Sequence, residues 1–287
     1  MKVPNFSDPA LMEDTMRSSN PVFSRTDGFN GAAPVGFDQH PTHTELGRGT
    51  GRMTLETVIE KTAITTGVLV VTAVIAFVFI GGLIGETPES VNRAMGTAGL
   101  LSLVGALGGF VLAMVNSFKK VVSPALVLAY AAVEGLFVGA FSWFVSVQFA
   151  GGQLDLVFGA VLGTLAALGG TLAAYKFFNI QVGNRFRKIV IASMFGFVAV
   201  SLLDFGLSFF GNSFGFNGFG PMGLISSVIG VVIAVFMLIL DFDFVERGIA
   251  AGLPERESWR AAFGLTVTIV WLYIELLRIL AILRGND

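Results

Sequence analysis

The sequence predicts an all-α integral membrane protein, a bundle of seven transmembrane helices behind a polar N-terminal tail. Three observations carry this. Only 13% of the 287 residues are charged and 54% are hydrophobic, about half the charge of a soluble domain. Apolar runs near 20 residues long recur seven times, each sufficient to cross roughly 30 Å of hydrocarbon. The runs are continuous, unlike the short alternating segments of a membrane barrel.

In chain order, residues 1–56 come first as a disordered tail, because Pro, Gly, Ser, Thr and Asn recur without a sustained apolar period. Such a segment buries too little apolar surface to offset the entropy of ordering it. Residues 57–287 form the membrane domain. Its spans fall at 64–85, 96–117, 124–148, 154–176, 188–210, 222–242 and 261–283. The connections are short except for the glycine–phenylalanine loop 211–221 and the charged loop 245–260. Gly135 with Gly139, and Gly159 with Gly163, are small residues four apart, which let helices of the same bundle approach closely. Trp143 and Trp259 near span ends fit an aromatic belt at the membrane surface.

Charge placement sets the orientation. With the tail inside, 15 of the 18 basic residues fall on one side and only Arg93 and Arg284 on the other. This asymmetry predicts a cytoplasmic N-terminus in a multi-pass protein of the cell membrane. The remaining cation, Arg278, lies within the seventh span.

Several chemistries are excluded. There is no cysteine, hence no disulfide, thiolate metal site or cysteine nucleophile. The net charge of -2 argues against nucleic acid as a partner. The only histidines, His40 and His43, sit in the tail and make a poor metal site, so no histidine is available to a membrane-embedded catalytic triad. Neither an aspartyl intramembrane protease motif nor a phosphate-binding Gly-x-x-x-x-Gly-Lys-Ser/Thr loop occurs. No catalytic residue, resident metal or cofactor is expected, and the protein is not read as an enzyme.

What remains is acidic. A charge at the bilayer centre costs about 2.5–3.5 kcal/mol on insertion scales, so each retained carboxylate needs a partner, a proton, water or a purpose. Glu134 lies ten residues into the third span, about 15 Å deep at 1.5 Å per residue, with no cation within one turn. Glu275 and Arg278 are three apart on one face, where a local ion pair is the default. Asp204 lies in the outer third of the fifth span and admits two readings, a protonated, hydrogen-bonded packing residue or part of a path. Asp241 and Asp243 close the sixth span, and Asp243 reads as the point where that helix meets water. Together the acids form a ladder that a cation or proton path requires.

Three segments resemble a known family. Tyr130-Ala-Ala-Val-Glu134-Gly135-Leu-Phe-Val-Gly139, Leu238-Ile-Leu-Asp241-Phe and Leu276-Leu277-Arg278-Ile279-Leu280 are similar in order and depth to the transmembrane Bax inhibitor motif family, also called Bax inhibitor-1, with its YccA-like bacterial members. The resemblance covers residues 57–284. Residues 240–246 and 257–264 resemble its actinobacterial branch. The resemblance implies six helices around a central seventh, and a pH-sensitive calcium leak. It also implies an aspartate ending the sixth helix that shares a proton with another early in the seventh, closing the cytoplasmic side. Asp241 takes the first place and Thr268 the second. A threonine can hydrogen-bond there but cannot hold the second negative charge.

Two functions follow as expectations. One is a passive Ca²⁺ or H⁺ conduit, leak or exchanger, in which protonation loosens the bundle and weak Ca²⁺ sites along Asp241, Glu134 and Glu275 suffice. pH sensing would then come from Asp241 with Asp243, or from Glu134 with Glu275. The other is a stress regulator embedded in the lipid bilayer that acts by binding a membrane protease or another membrane protein.

Overall fold

Helix signals of several kinds punctuate the chain. The computed structural model describes residues 51–178 and 180–285, and within these seven helices are long and apolar enough to span a membrane. They are α1 (Leu55–Gly81), α2 (Pro88–Phe118), α3 (Pro124–Ala150), α4 (Asp155–Phe177), α5 (Asn184–Ser208), α6 (Pro221–Ala250) and α7 (Glu257–Gly285). Thr54 caps α1 in a reciprocal box with Thr57. Pro88, Pro124 and Pro221 open α2, α3 and α6, where a missing N–H costs nothing. The only pairing of extended backbone among the described residues is the isolated bridge between Arg52 and Pro254.

Seven helices agree with the sequence, but some boundaries do not. The sixth helix was expected to end near Asp241, yet α6 continues nine residues further to Ala250. Hydropathy falls at its charges, but Gly248 stays helical and no proline intervenes before Gly252, which takes φ +64°. The charged loop therefore shrinks to residues 251–256. The sequence pattern places the tail at 1–56; its last residues belong to the domain, because Met53 is 2% exposed and α1 starts at Leu55. Residues 1–50, with both histidines, lie outside the described residues.

Apolar side chains cover the outside of the helices as well as the inside. Val71, Ile75 and Phe79 of α1 and Leu162 and Leu165 of α4 are each more than half exposed, as expected where the surrounding medium is lipid. α7 is enclosed: 15 of its 29 residues are buried, and it packs against α1, α3, α4 and α6. α5 runs alongside α6 alone, reaching α7 through the Phe197 ring, tilted at 40° and 5.4 Å from that of Trp271.

Glycines set the closest helix contacts. A Cβ on Gly139 would lie 2.8 Å from Ala73 Cα of α1, and one on Gly105 of α2 would lie 2.7 Å from Phe137 N of α3. Gly159 and Gly163 seat Leu280 and Leu276 of α7 at 3.1 and 3.3 Å, so both glycine pairs serve internal packing. Trp143 is not in a belt: it is 2% exposed and packs on Ile80, Ala94 and Ala98. Gly139→Val is expected to keep α1 from docking on α3, with loss of monodisperse protein on size exclusion in detergent. Gly67→Val, at a position with nothing within 4 Å, should elute as the parent does.

Candidate functional site

α6 and α7 run antiparallel in a register that sets 241 beside 264–268 and 230 beside 275. Two glycines bring them together. A Cβ on Gly264 would sit 3.3 Å from Asp241 Oδ1, and one on Gly230 would sit 2.8 Å from the Glu275 carboxyl carbon. The carboxyl groups thus occupy room that any larger residue would take.

At the end of this seam where the basic residues gather, Thr268 Oγ1 donates to Asp241 Oδ2 at 2.7 Å. The Gly264 carbonyl stands 3.1 Å from the same hydroxyl as a second acceptor. Asp241 also borders a cavity of about 500 Å³ whose other polar walls are Arg187 and Arg247.

At the other end, Arg278 Nη1 donates to Glu275 Oε2 at 2.9 Å, the local pair that their spacing predicts. Arg278 Nη2 reaches further, donating to the carbonyls of Phe216 and Gly218 at 2.8 and 3.1 Å. Thr268 and Glu275 are separated by about 10 Å of helix rise. Ala234, Leu238 and Leu272, all 0% exposed, fill the levels between them. The seam therefore carries two polar stations with an apolar plug between.

The other acids stand apart. Asp243 does not mark where the helix meets water: it is 5% exposed, accepting from Arg187 Nη2 at 2.6 Å and Arg247 Nε at 2.8 Å. Arg247 also donates to the Val182 carbonyl at 2.8 Å, so Asp243 ties α5 and the α4–α5 connection to α6. With two guanidiniums on it, Asp243 is not arranged as a charge-sharing partner of Asp241. Asp204 is a loop anchor, accepting the backbone N–H groups of Phe214, Gly215 and Asn217 at 2.8, 3.2 and 2.8 Å. These hydrogen bonds fit the packing reading, though a carboxyl that accepts three N–H groups needs no proton to be held there. The Glu134 carboxylate lies directly on Gly109 of α2, with no hydrogen-bond partner among the described residues. It faces the α2–α3 contact, whereas Glu275 faces α6, so these two acids are not brought together.

The contacts of Arg187 and Arg247 with Asp243 escaped the sequence reading, which used both arginines only to set the orientation. The four-residue spacing of Asp243 and Arg247 was a legible signal. Nothing local announces that the carbonyls of Phe216 and Gly218 turn inward to Arg278, because every residue carries a carbonyl.

A family model described as Bax inhibitor 1 like matches residues 20–285. The chain belongs to that family. No curated protein matches the chain. Membership in the Bax inhibitor 1 like family covers all seven helices and makes this a multi-pass membrane protein of that family. The place where a second aspartate was expected in such a protein holds Thr268, and its hydroxyl keeps the hydrogen bond across the α6–α7 seam. Among the described residues there is no cluster of three metal-ligating side chains, and the site's chemistry rests on single carboxylates.

Proposed function

We propose that this Bax inhibitor 1 like protein is a pH-sensitive passive leak for Ca²⁺ or H⁺ in the plasma membrane, with its basic end and N-terminal tail in the cytoplasm. One observation supports this most directly: Asp241, a carboxylate within a spanning helix, borders a cavity at the basic end while a neighbouring helix's hydroxyl holds it in place. A cation entering from that side passes Arg187 and Arg247, which are paired with Asp243, and meets Asp241, then the plug of Leu238 and Leu272, then the Glu275–Arg278 pair. The arrangement is that of a closed leak, which opens when α6 and α7 separate enough to wet the plug.

pH acts through one carboxylate. Ionised Asp241 accepts from Thr268 and offers a cation a hard oxygen ligand. Protonated Asp241 donates to Thr268 Oγ1, whose own proton turns to the Gly264 carbonyl 3.1 Å away. The interhelical contact survives both states, so protonation withdraws the binding charge instead of loosening the bundle. Flux therefore falls as Asp241 takes up its proton.

Asp241→Asn tests this, since the amide preserves the hydrogen bond and removes the charge. In proteoliposomes, Ca²⁺ flux across a pH series is expected to drop about tenfold, the equivalent of about 1.4 kcal/mol at one station, and to lose its pH dependence. Wild-type flux and pH profile in the variant would eliminate Asp241 as the station.

A further inference from the structure

We infer that residues Gly51–Met53 form a strap that holds the inner end of the α6–α7 seam shut, so that the polypeptide leading into the membrane domain sets the leak. This rests on the leak reading above.

The strap is a short antiparallel pairing with the α6–α7 connection. Met53 N donates to the Leu253 carbonyl at 2.7 Å and Glu255 N to the Gly51 carbonyl at 2.8 Å, placing Arg52 opposite Pro254. Met53 is buried at 2% exposure. Its thioether lies on Gly248, where a Cβ would come within 2.9 Å of Sδ, and it shares a core cluster with Leu238 and Leu272 of the plug. Gly248 and Leu253 are also walls of the Asp241 cavity. Just beyond, Thr57 and Ser258 hydroxyls hydrogen-bond at 2.8 Å, and Lys61 reaches Glu255 at 3.8 Å and lies over the Trp259 ring. The strap, the first turns of α1 and the start of α7 are thereby fastened together.

Geometry gives this fastening its consequence. Residues 251–256 are the sole covalent link between the helix carrying Asp241 and the helix carrying Thr268 and Gly264. With Met53 seated, the end of α6 is held against the start of α7. Unseating Met53 exposes an apolar socket to the cytoplasmic side and removes two backbone hydrogen bonds from the link, which frees the two helices to part at the Asp241 end. Anything that pulls on the chain ahead of Gly51 acts directly on that seat.

The protein has no cysteine, so a redox lock can be introduced without background. Arg52 and Pro254 form a pair without mutual hydrogen bonds, whose Cα atoms lie about 4.5 Å apart, within disulfide range. In Arg52→Cys/Pro254→Cys full-length protein in liposomes, oxidation is expected to lower Ca²⁺ flux several-fold and to slow amide exchange over residues 251–260, both reversed by dithiothreitol. Met53→Gly is expected to raise flux and speed the same amides. Cross-linked protein whose flux and exchange match the reduced form would overturn the strap. If the amides respond but no variant, wild type included, shows flux sensitive to Asp241→Asn, the leak reading fails and the strap stands as a structural clasp.

Discussion

Arg278→Ala is expected to destabilise the membrane domain by about 3–5 kcal/mol, the usual consequence of removing one partner from a buried ion pair. Arg278 and Glu275 are 5% and 4% exposed. Without the guanidinium, the Glu275 carboxylate keeps its burial and loses its cation, and the Phe216 and Gly218 carbonyls lose a donor. The loss reaches the α5–α6 connection as well as the seam. Glu275→Gln should cost less, because the neutral amide still accepts from Arg278. Replacing both, as Arg278→Met with Glu275→Leu, should recover part of the loss, since no charge is then stranded. Thermal unfolding in detergent, followed by tryptophan fluorescence, measures all three. An Arg278→Ala protein that melts with the wild type would refute a buried, matched pair.

The second large effect is expected from Thr268→Asp, which sets two carboxylates across the contact where Thr268 now donates at 2.7 Å. At low pH the two share a proton and the helices stay joined. As pH rises the shared proton is lost and the charges repel, by about 4 kcal/mol at 4 Å and an effective dielectric constant of 20. Stability of the variant is thus present in acid and lost toward alkaline pH. The wild type lacks that term, because its threonine never ionises. Melting curves from pH 5 to pH 9 should diverge progressively between the two proteins; parallel curves would mean that Asp241 and residue 268 do not face each other.

Much of the architecture is legible because the membrane imposes a length on every span, and seven apolar runs count seven helices. Helix ends were less legible, since hydropathy reports where lipid stops and not where helical backbone stops; α6 runs on past Asp241 and Asp243 for that reason. The facing of single residues was least legible. α2 and α4 are apolar around most of their circumference, so periodicity does not separate a lipid-facing side from a packed one, and Glu134 could be assigned a depth but not a neighbour. Asp243 shows the same limit: its place at the end of an apolar run reads as a water marker, and the two arginines that bury it, one from α5, are distant in sequence or hidden by the helix continuing past the run. The pairing of Asp241 with Thr268 was anticipated through family resemblance, not through any pattern within this chain.

α5 has only two buried residues, Val190 and Asp204, and is tethered mainly near its ends, by Arg187 on Asp243 and by Asp204 on the following loop. Detaching it would uncover little core, and the polar contacts it would break are concentrated towards its two ends. Regions with few buried contacts open at a small fraction of the global unfolding free energy. The membrane domain is therefore mechanically heterogeneous: a stiff block of six helices, and one outrigger that can come loose from it while the rest remains folded.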